Sequence, residues 1–248
     1  MLSAMEPIPD DPALRPDGAG ADDPVPLYLR RTYSWAYLDR RTLGWLDRPS
    51  VVSAILWGNA HRLMQAAVAA FRPGSRVLQA ACVYGGFSAM LARRVGSEGR
   101  LEVVDVAPLQ VANARRKLAG LPQASVRRAD LAGGCPGWRA YDGVCCFFLL
   151  HEVPATTRSR IVGHLLDAVA PGGRVVFVDY HRPHARHPLR WPMAAVFRWL
   201  EPYAESLLDT DIATLSAQSA AFSWQKRTLF GGLYQIVIGD RRDTEAAA

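Results

Sequence analysis

The chain of 248 residues is poor in several things that would narrow its class. It has no apolar run of about eighteen residues, so no segment reads as a membrane span. Its start, MLSAMEPIPDDPALRPDGAGADDPVP, has neither a basic head nor an apolar stretch, so it is not a secretory signal. Only four cysteines occur, at 82, 135, 145 and 146, and no two make a CxxC pair. That argues for reduced, structural thiols in a cytosolic protein and against a zinc site. No Walker loop is present, which excludes the usual nucleoside triphosphatase. No internal repeat and no RNA-binding module is visible, so nucleic acid is not an expected partner.

What is present is globular: half the residues are hydrophobic and the formal charge is +6. The positive excess suits an anionic partner without defining one. Residues 1–26, rich in proline and aspartate, read as a disordered leader, and 241–248 as a disordered tail. From 27 to 72 the pattern is helical, broken near Pro49. Then strands and helices alternate. RVLQAAC, RLEVVDV, ASVRRADL, YDGVCCFFLLHEV and RVVFVDY read as five buried strands. Helices lie between them, one carrying Pro108 in its first turn and one stopped by Pro171, Gly172 and Gly173. FSWQKRTLFGGLYQIVIGD reads as a hairpin turning at Gly231 and Gly232. The expectation is an α/β fold of the Rossmann-like class I methyltransferase type. It has a mostly parallel seven-stranded sheet, a C-terminal antiparallel hairpin and N-terminal helices. The α/β domain spans 73–240, with 181–220 a lid or insertion between the fifth strand and the hairpin.

Ligands of such sheets sit at the carboxyl ends of the strands. The first turn is unusual there. An acid and three glycines at alternate positions are expected, and Gln79, Ala81, Val83 and Gly85 occupy those places. Gly85 and Gly86 still allow close backbone approach, and the helix after them offers free N–H groups to a carboxylate. Asp105 ends the second strand, where a carboxylate accepts from ribose hydroxyls. Val106 follows it. Asp130 ends the third strand, where it accepts from an adenine amine. Phe148 to Glu152 ends the fourth strand and faces the reacting centre. A methyl transfer from S-adenosylmethionine needs positioning more than acid–base groups, so the missing triad does not weigh against it. A nicotinamide dehydrogenase wants a similar turn and acid, but the hairpin favours the methyltransferase scaffold.

Seven segments together carry a closer resemblance: VPLYLRRTYSWAYLDRR, ILWGN, ACVYGGFS, VVDVAPLQVANARRKL, FFLLHEVP, VDYHRPHARHPLRW and FGGLYQIVI. From about Val25 to Ile238 the chain resembles the rhodoquinone-biosynthesis enzymes. That resemblance implies replacement of a ubiquinone ring methoxy group by an amino group, with S-adenosylmethionine as amino donor. It also implies manganese or another divalent metal. Gln79 then removes a charge that would hold the donor's amine as ammonium, and Val83 and Tyr84 add bulk beside it. Tyr84 is a candidate contact to the amine or to a quinone oxygen. Gly86 departs from the polar residue expected in the family.

Asp179, His181 and Glu152 are the expected metal ligands, with His151 and Tyr180 beside the ring; carboxylate and imidazole suit manganese. Ubiquinone lives in the bilayer. Basic and aromatic residues in 30–45 and in 186–200 therefore point to peripheral contact with the inner membrane surface from the cytoplasmic side. Two alternatives stand: a conventional quinone or small-molecule methyltransferase, and a non-catalytic scaffold of quinone-biosynthesis enzymes.

Overall fold

The structure, a computed structural model, describes residues 25–37, 40–134 and 141–243. The leader up to residue 24, Cys135 and the tail from residue 244 lie outside these. The N-terminal segment forms short helices rather than two long ones. They are α1 (Leu27–Thr32), α2 (Ser34–Tyr37), α3 (Arg40–Leu46), α4 (Pro49–Ile55) and α5 (Ala60–Val68). Pro49 opens α4 in the first turn, where its missing N–H costs nothing.

The α/β part follows as β1 (Arg76–Ala80), α6 (Phe87–Val95), β2 (Arg100–Asp105), α7 (Pro108–Leu118), β3 (Ala124–Arg128), β4 (Tyr141–Phe147), α8 (Ala155–Ala168) and β5 (Val169–Tyr180). Then come α9 (Arg190–Trp199), α10 (Glu205–Leu208), β6 (Phe222–Leu229) and β7 (Tyr234–Arg241). Seven strands make one sheet in the order β3-β2-β1-β4-β5-β7-β6. The first five are mutually parallel, and β7 runs antiparallel between β5 and β6. This is the class I methyltransferase fold expected from the order of elements. The order reverses direction beside β1, so β1 and β4 flank the switch point where ligands of such sheets bind.

Strand alternation divides the core. Val77, Cys145, Val176 and Val178 face α5 and α6, whose Leu63, Ala67, Phe87 and Leu91 are fully or nearly fully buried. Leu78, Ala80, Val104, Val144 and Phe177 face α8 on the other side. Both faces are covered, which is why these strands are apolar throughout rather than alternating.

Several boundaries differ from the sequence reading. The first strand stops at Ala80 rather than Cys82, and the fourth at Phe147, so Phe148 to Glu152 lies beyond the strand rather than at its end. The fifth strand starts at Val169, not Arg174, because Val169 still pairs with Tyr141 before the register shifts at Pro171–Gly173. The third strand ends at Arg128, so Asp130 lies in the loop beyond it. The hairpin turns where expected. Gly231 (φ +60°) and Gly232 (φ +89°) lie in the left-handed region. A Cβ on Gly231 would come within 2.3 Å of the His187 ring, so the turn is packed tightly onto the loop after β5.

Candidate active site

The site begins at the altered turn after β1. Ala81 adopts φ +66°, a conformation usually left to glycine. It is held there by its N–H to the Val104 carbonyl at 2.8 Å and by Gln79 Nε2 donating to its own carbonyl at 2.9 Å. Thus the backbone keeps a glycine-like shape after losing the glycine. Gln79 is fully buried, and its Oε1 has no hydrogen-bond partner among the described residues. The turn also accounts for Gly85, at φ +77° with the Val52 side chain 3.5 Å from where a Cβ would sit.

Asp105 is fixed by the same turn. Its Oδ2 accepts from the Cys82 amide at 2.7 Å and its Oδ1 from the Ala107 amide at 2.7 Å. Burial pushes its pKa up to about 6, against the lowering effect of the Cys82 and Ala107 amide hydrogen bonds. Asp130 accepts from the Ala132 amide at 2.8 Å. Asp105, Val106, Asp130 and Phe148 line one narrow cleft together with Ala81 and Cys82. The cleft holds about 50 Å³, far less than an adenosyl group needs. Tyr28 of α1 lies over it. Burial first, and then the charges of Asp130, Glu152 and Asp105, hold its phenol far above the usual range. The acids suit a nucleoside, and Tyr28 lines the same cleft.

The Gly85 amide, in the turn expected to let backbone approach the ligand, donates to Asp47 Oδ1 at 2.8 Å. Lys117 and Asn113 of α7 complete that cluster, with Lys117 Nζ 2.7 Å from Asp47 Oδ1. Asp47 belongs to the helical cap and gave no sequence signal. Gly86 precedes α6 and has open space around it. Tyr84 donates its hydroxyl to the Ala36 carbonyl and stacks on Tyr37 at 5.8 Å. Its hydroxyl is committed to the cap, so the expected contact to an amine or a quinone oxygen is not available in this arrangement.

Around the end of β4 the geometry tightens. Phe148 sits at φ +53°, a strained conformation for an aromatic residue, with its N–H bonded to Val178. A single 3₁₀ turn, Leu150–Glu152, follows. Asp179, 1 % exposed, accepts from the amides of Leu150 (2.9 Å) and Tyr180 (2.8 Å) and bonds His151 Nδ1 at 2.7 Å. It is a positioning residue that presents His151 Nε2 outward.

That nitrogen faces Glu152 Oε1 at 3.8 Å and Glu201 Oε2 at 3.9 Å. Tyr37 donates to Glu152, and Tyr33 donates to Glu201 at 2.8 Å. Burial opposes the charge on His151, but the neighbouring carboxylates, Asp179 foremost, outweigh it and raise its pKa to about 9. Burial also raises Glu152, with Glu201 adding and His151 opposing, to about 8. The set is a cluster of one imidazole and two carboxylates, each largely buried, at the edge of a cavity.

The expected metal set is therefore regrouped. Among the described residues, His151, Glu152 and Glu201 are the group whose ligand atoms converge, all within 4.8 Å of one another. Glu152 belonged to the sequence set. Asp179 spends its oxygens on amides and imidazole, and His181 turns its Nδ1 to the Gly232 carbonyl at 3.0 Å. Glu201, missed in the sequence, is an acid in a stretch otherwise basic and aromatic. Buried Arg158 fixes it in place by bonding Leu150 O and Tyr203 O, both at 2.8 Å, across the two loops.

Beyond this cluster lies a second, larger cavity of about 410 Å³. Its walls are mostly apolar and come from Val83, Tyr84, Phe147, Phe148, Tyr180 and the cap helices, with Met193 and Val196 of α9. Tyr180 is buried against Phe148, His151, Phe197 and Tyr234, with ring centroids at 4.8–5.7 Å. Tyr37, Cys82, Phe148 and Glu152 line both this cavity and the cleft, so the two spaces meet there.

Fold and site together define a methyltransferase-like α/β protein with a narrow acidic cleft that borders a larger, mostly apolar cavity. The comparisons agree on the methyltransferase class. A family model described as "Methyltransferase domain" matches residues 77–173. The chain is 24% identical over 188 residues to 2-phytyl-1,4-naphtoquinone methyltransferase of Thermosynechococcus vestitus, covering 68% of this chain and 81% of that one. It is 26% identical over 140 residues to demethylmenaquinone methyltransferase of Symbiobacterium thermophilum, covering 55% of this chain and 54% of that one. Among solved structures, an O-methyltransferase family protein from Burkholderia thailandensis superposes with a TM-score of 0.63 at 18% identity, covering 84% of this chain and 61% of that chain.

Proposed function

We propose that this chain is an S-adenosylmethionine-dependent transferase that modifies the ring of a quinone carrying an apolar tail. The carrying observation is the junction of two spaces. A cleft with two nucleoside-type carboxylates, Asp105 and Asp130, meets an apolar cavity of about 410 Å³ at Cys82, Phe148 and Glu152. The printed names of the two relatives, both quinone methyltransferases, support the acceptor class.

Bound, the donor supplies an activated methyl at one end of its methionine part and a primary amine at the other. Asp105 and Asp130 would hold its ribose and adenine. The apolar walls would exclude water and hold the acceptor ring against Phe148 and Tyr180. Methyl transfer has the better support from the comparisons, and it asks little of the protein beyond that alignment.

Amino transfer, the reading the rhodoquinone-type motifs imply, has its own structural support. Gln79 is neutral where a carboxylate is expected, although its side chain is fully buried and lines neither the cleft nor the cavity. His151, Glu152 and Glu201 form a proton-holding cluster at the cavity. Replacing a methoxy group by the donor's amine would form a ring C–N bond and release methanol. The donor's own Cα–N bond would then break as a Cβ proton is lost and an alkene forms on the donor. These residues can take the protons from nitrogen and carbon and give one to departing methoxide. The same three side chains suit a divalent ion, which would polarise an acceptor carbonyl.

One experiment separates the readings. Purified protein, short-tailed ubiquinone or a demethylated naphthoquinone, manganese and S-adenosylmethionine labelled in both its methyl and its amine are combined, and products are weighed by mass spectrometry. Methyl label in the quinone establishes methyl transfer, and amine label establishes amino transfer. No product, together with no saturable donor binding by calorimetry, overturns the enzyme reading and leaves a scaffold.

A further inference from the structure

Eight large apolar side chains are exposed among the described residues: Leu27, Trp35, Trp45, Ile55, Trp57, Trp191, Trp199 and Leu200. Five of these, Trp35, Trp45, Ile55, Trp57 and Leu200, also line the acceptor cavity. A side chain that is both exposed and cavity-lining stands at a mouth, so the cavity opens to the surface through a rim of indole and aliphatic groups. Trp191 and Trp199 lie on α9, the helix that gives Met193 and Val196 to the same cavity, and Trp191 is 77 % exposed. The two tryptophans are roughly 80° apart around that helix, which places them on one side of it.

The rim is assembled from distant parts of the chain. Trp57 Nε1 donates to Met193 Sδ at 3.3 Å, tying the end of α4 to α9. Trp57 also holds φ +50°, an unfavourable conformation for an aromatic residue. Burying these rings in a core would have been the cheaper use of so much apolar surface, and an exposed patch of this kind marks a binding face.

Charge identifies the partner. Residues 184–200 contain Arg186, Arg190 and Arg198 and no aspartate or glutamate. Arg190 stands over the Trp191 ring at 5.5 Å and Arg198 over the Trp199 ring at 5.9 Å. On the cap, Arg30, Arg31 and Arg48 are exposed, while Asp47 is taken up by Lys117. Arginine with tryptophan around an apolar opening complements anionic headgroups above acyl chains. No helix of the described residues is long and apolar enough to cross a bilayer, so such contact would lie on the surface.

We propose that the rim formed by α2–α4 and α9 docks on an anionic lipid surface, so that the acceptor cavity opens straight into the bilayer. The docking itself needs no assumption about chemistry; only the passage of a tailed quinone through the rim rests on the function proposed above.

The test is flotation of the full chain with phosphatidylcholine vesicles, with and without phosphatidylglycerol, at low and high salt. No donor or acceptor is present. Wild type is expected to float with the anionic vesicles, less with the neutral ones and less at high salt. Trp191→Glu is expected to weaken partition about ten-fold, and Arg190→Glu with Arg198→Glu about five-fold for each arginine. Arg227→Glu, on exposed edge strand β6, is the charge control and should float about as well as wild type. Circular dichroism confirms that each variant is folded.

Wild type staying with the lipid-free fraction overturns the proposal. So does equal flotation of folded Trp191→Glu and wild type, or a lipid-free dimer that Trp191→Glu splits. Product from a soluble short-tailed quinone without flotation sinks the docking alone, and flotation with no product of either kind sinks the function alone.

Discussion

The acidic cleft and the apolar cavity share four residues yet are built in opposite ways. The cleft is made by the sheet. Its carboxylates are clamped by main-chain amides, and its shape follows from where β1, β2 and β3 end. The cavity is made by the cap and α9. Its walls are side chains from short helices, and its polar cluster is held by Tyr33 and Tyr37 of the cap and by Arg158 of α8. The cleft holds about 50 Å³ with Tyr28 across it, and the cavity about 410 Å³ and open. Backbone-fixed geometry reappears wherever the fold does, whereas a site made by packing helices is particular to one chain. The chemistry that distinguishes this protein should therefore be lost most easily from the cavity side.

The largest effect should come from Asp179. Asp179→Ala strands two buried amides and a charged imidazole, and should cost about 3–5 kcal/mol in denaturant unfolding. A loss under about 1 kcal/mol would mean that the cavity side does not depend on that clamp.

Next comes Glu152→Gln, which keeps shape and removes the proton-accepting oxygen. Turnover should fall about a hundred-fold with donor affinity nearly unchanged, since general acid–base groups are worth that much. If product forms at the wild-type rate, the cluster is structural and methyl transfer by alignment alone is favoured.

The cleft side is sharper in pH. On the proposed function, ionised Asp105 would accept from the donor's ribose hydroxyls, and its protonated form would be the weaker acceptor. Donor affinity should hold above pH 6 and fall about ten-fold per unit below it, because the group titrates near 6. In the ligand-free protein the sign is the reverse. A raised carboxylate pKa contributes stability below about 3.8 that is lost as pH rises through about 6. Asp105→Asn should flatten the affinity profile, and calorimetry from pH 5 to 7 reads it.

The smallest effect is Ala81→Gly. Relief of a left-handed alanine is worth about 1 kcal/mol and is partly cancelled by the freer unfolded chain. A gain of a few tenths of a kcal/mol in thermal or chemical unfolding would confirm that the turn kept its shape at a cost. A clear loss would show that the alanine methyl packs usefully.

Much of the cleft was legible because it follows local rules. Asp105 ends an apolar strand, the Gly85 turn precedes a helix with a buried i, i+4 face, and Gly231–Gly232 makes the hairpin. The cavity was legible only in pieces. His151 and Glu152 stood out by their place after β4, and the Trp and Arg content of 186–200 stood out by composition. Asp179 and His181 share a strand face in the sequence pattern, yet β5 ends between them and His181 turns to the hairpin. Tyr84 looked free to contact a ligand until α2 brought the Ala36 carbonyl to it.

Alone, the order of apolar strands, turns and helices determined the sheet, its hairpin and the position of the donor-side acids, since each depends on periodicity and neighbours a few residues away. Only the tertiary structure decided that Glu201 joins His151 and Glu152, that Asp47 takes the Gly85 amide, and that Tyr28 lies across the cleft. Those contacts span 50, 38 and more than a hundred residues of chain. Nothing in a local pattern encodes them. They are set by which helix faces are left to bury once the sheet has formed.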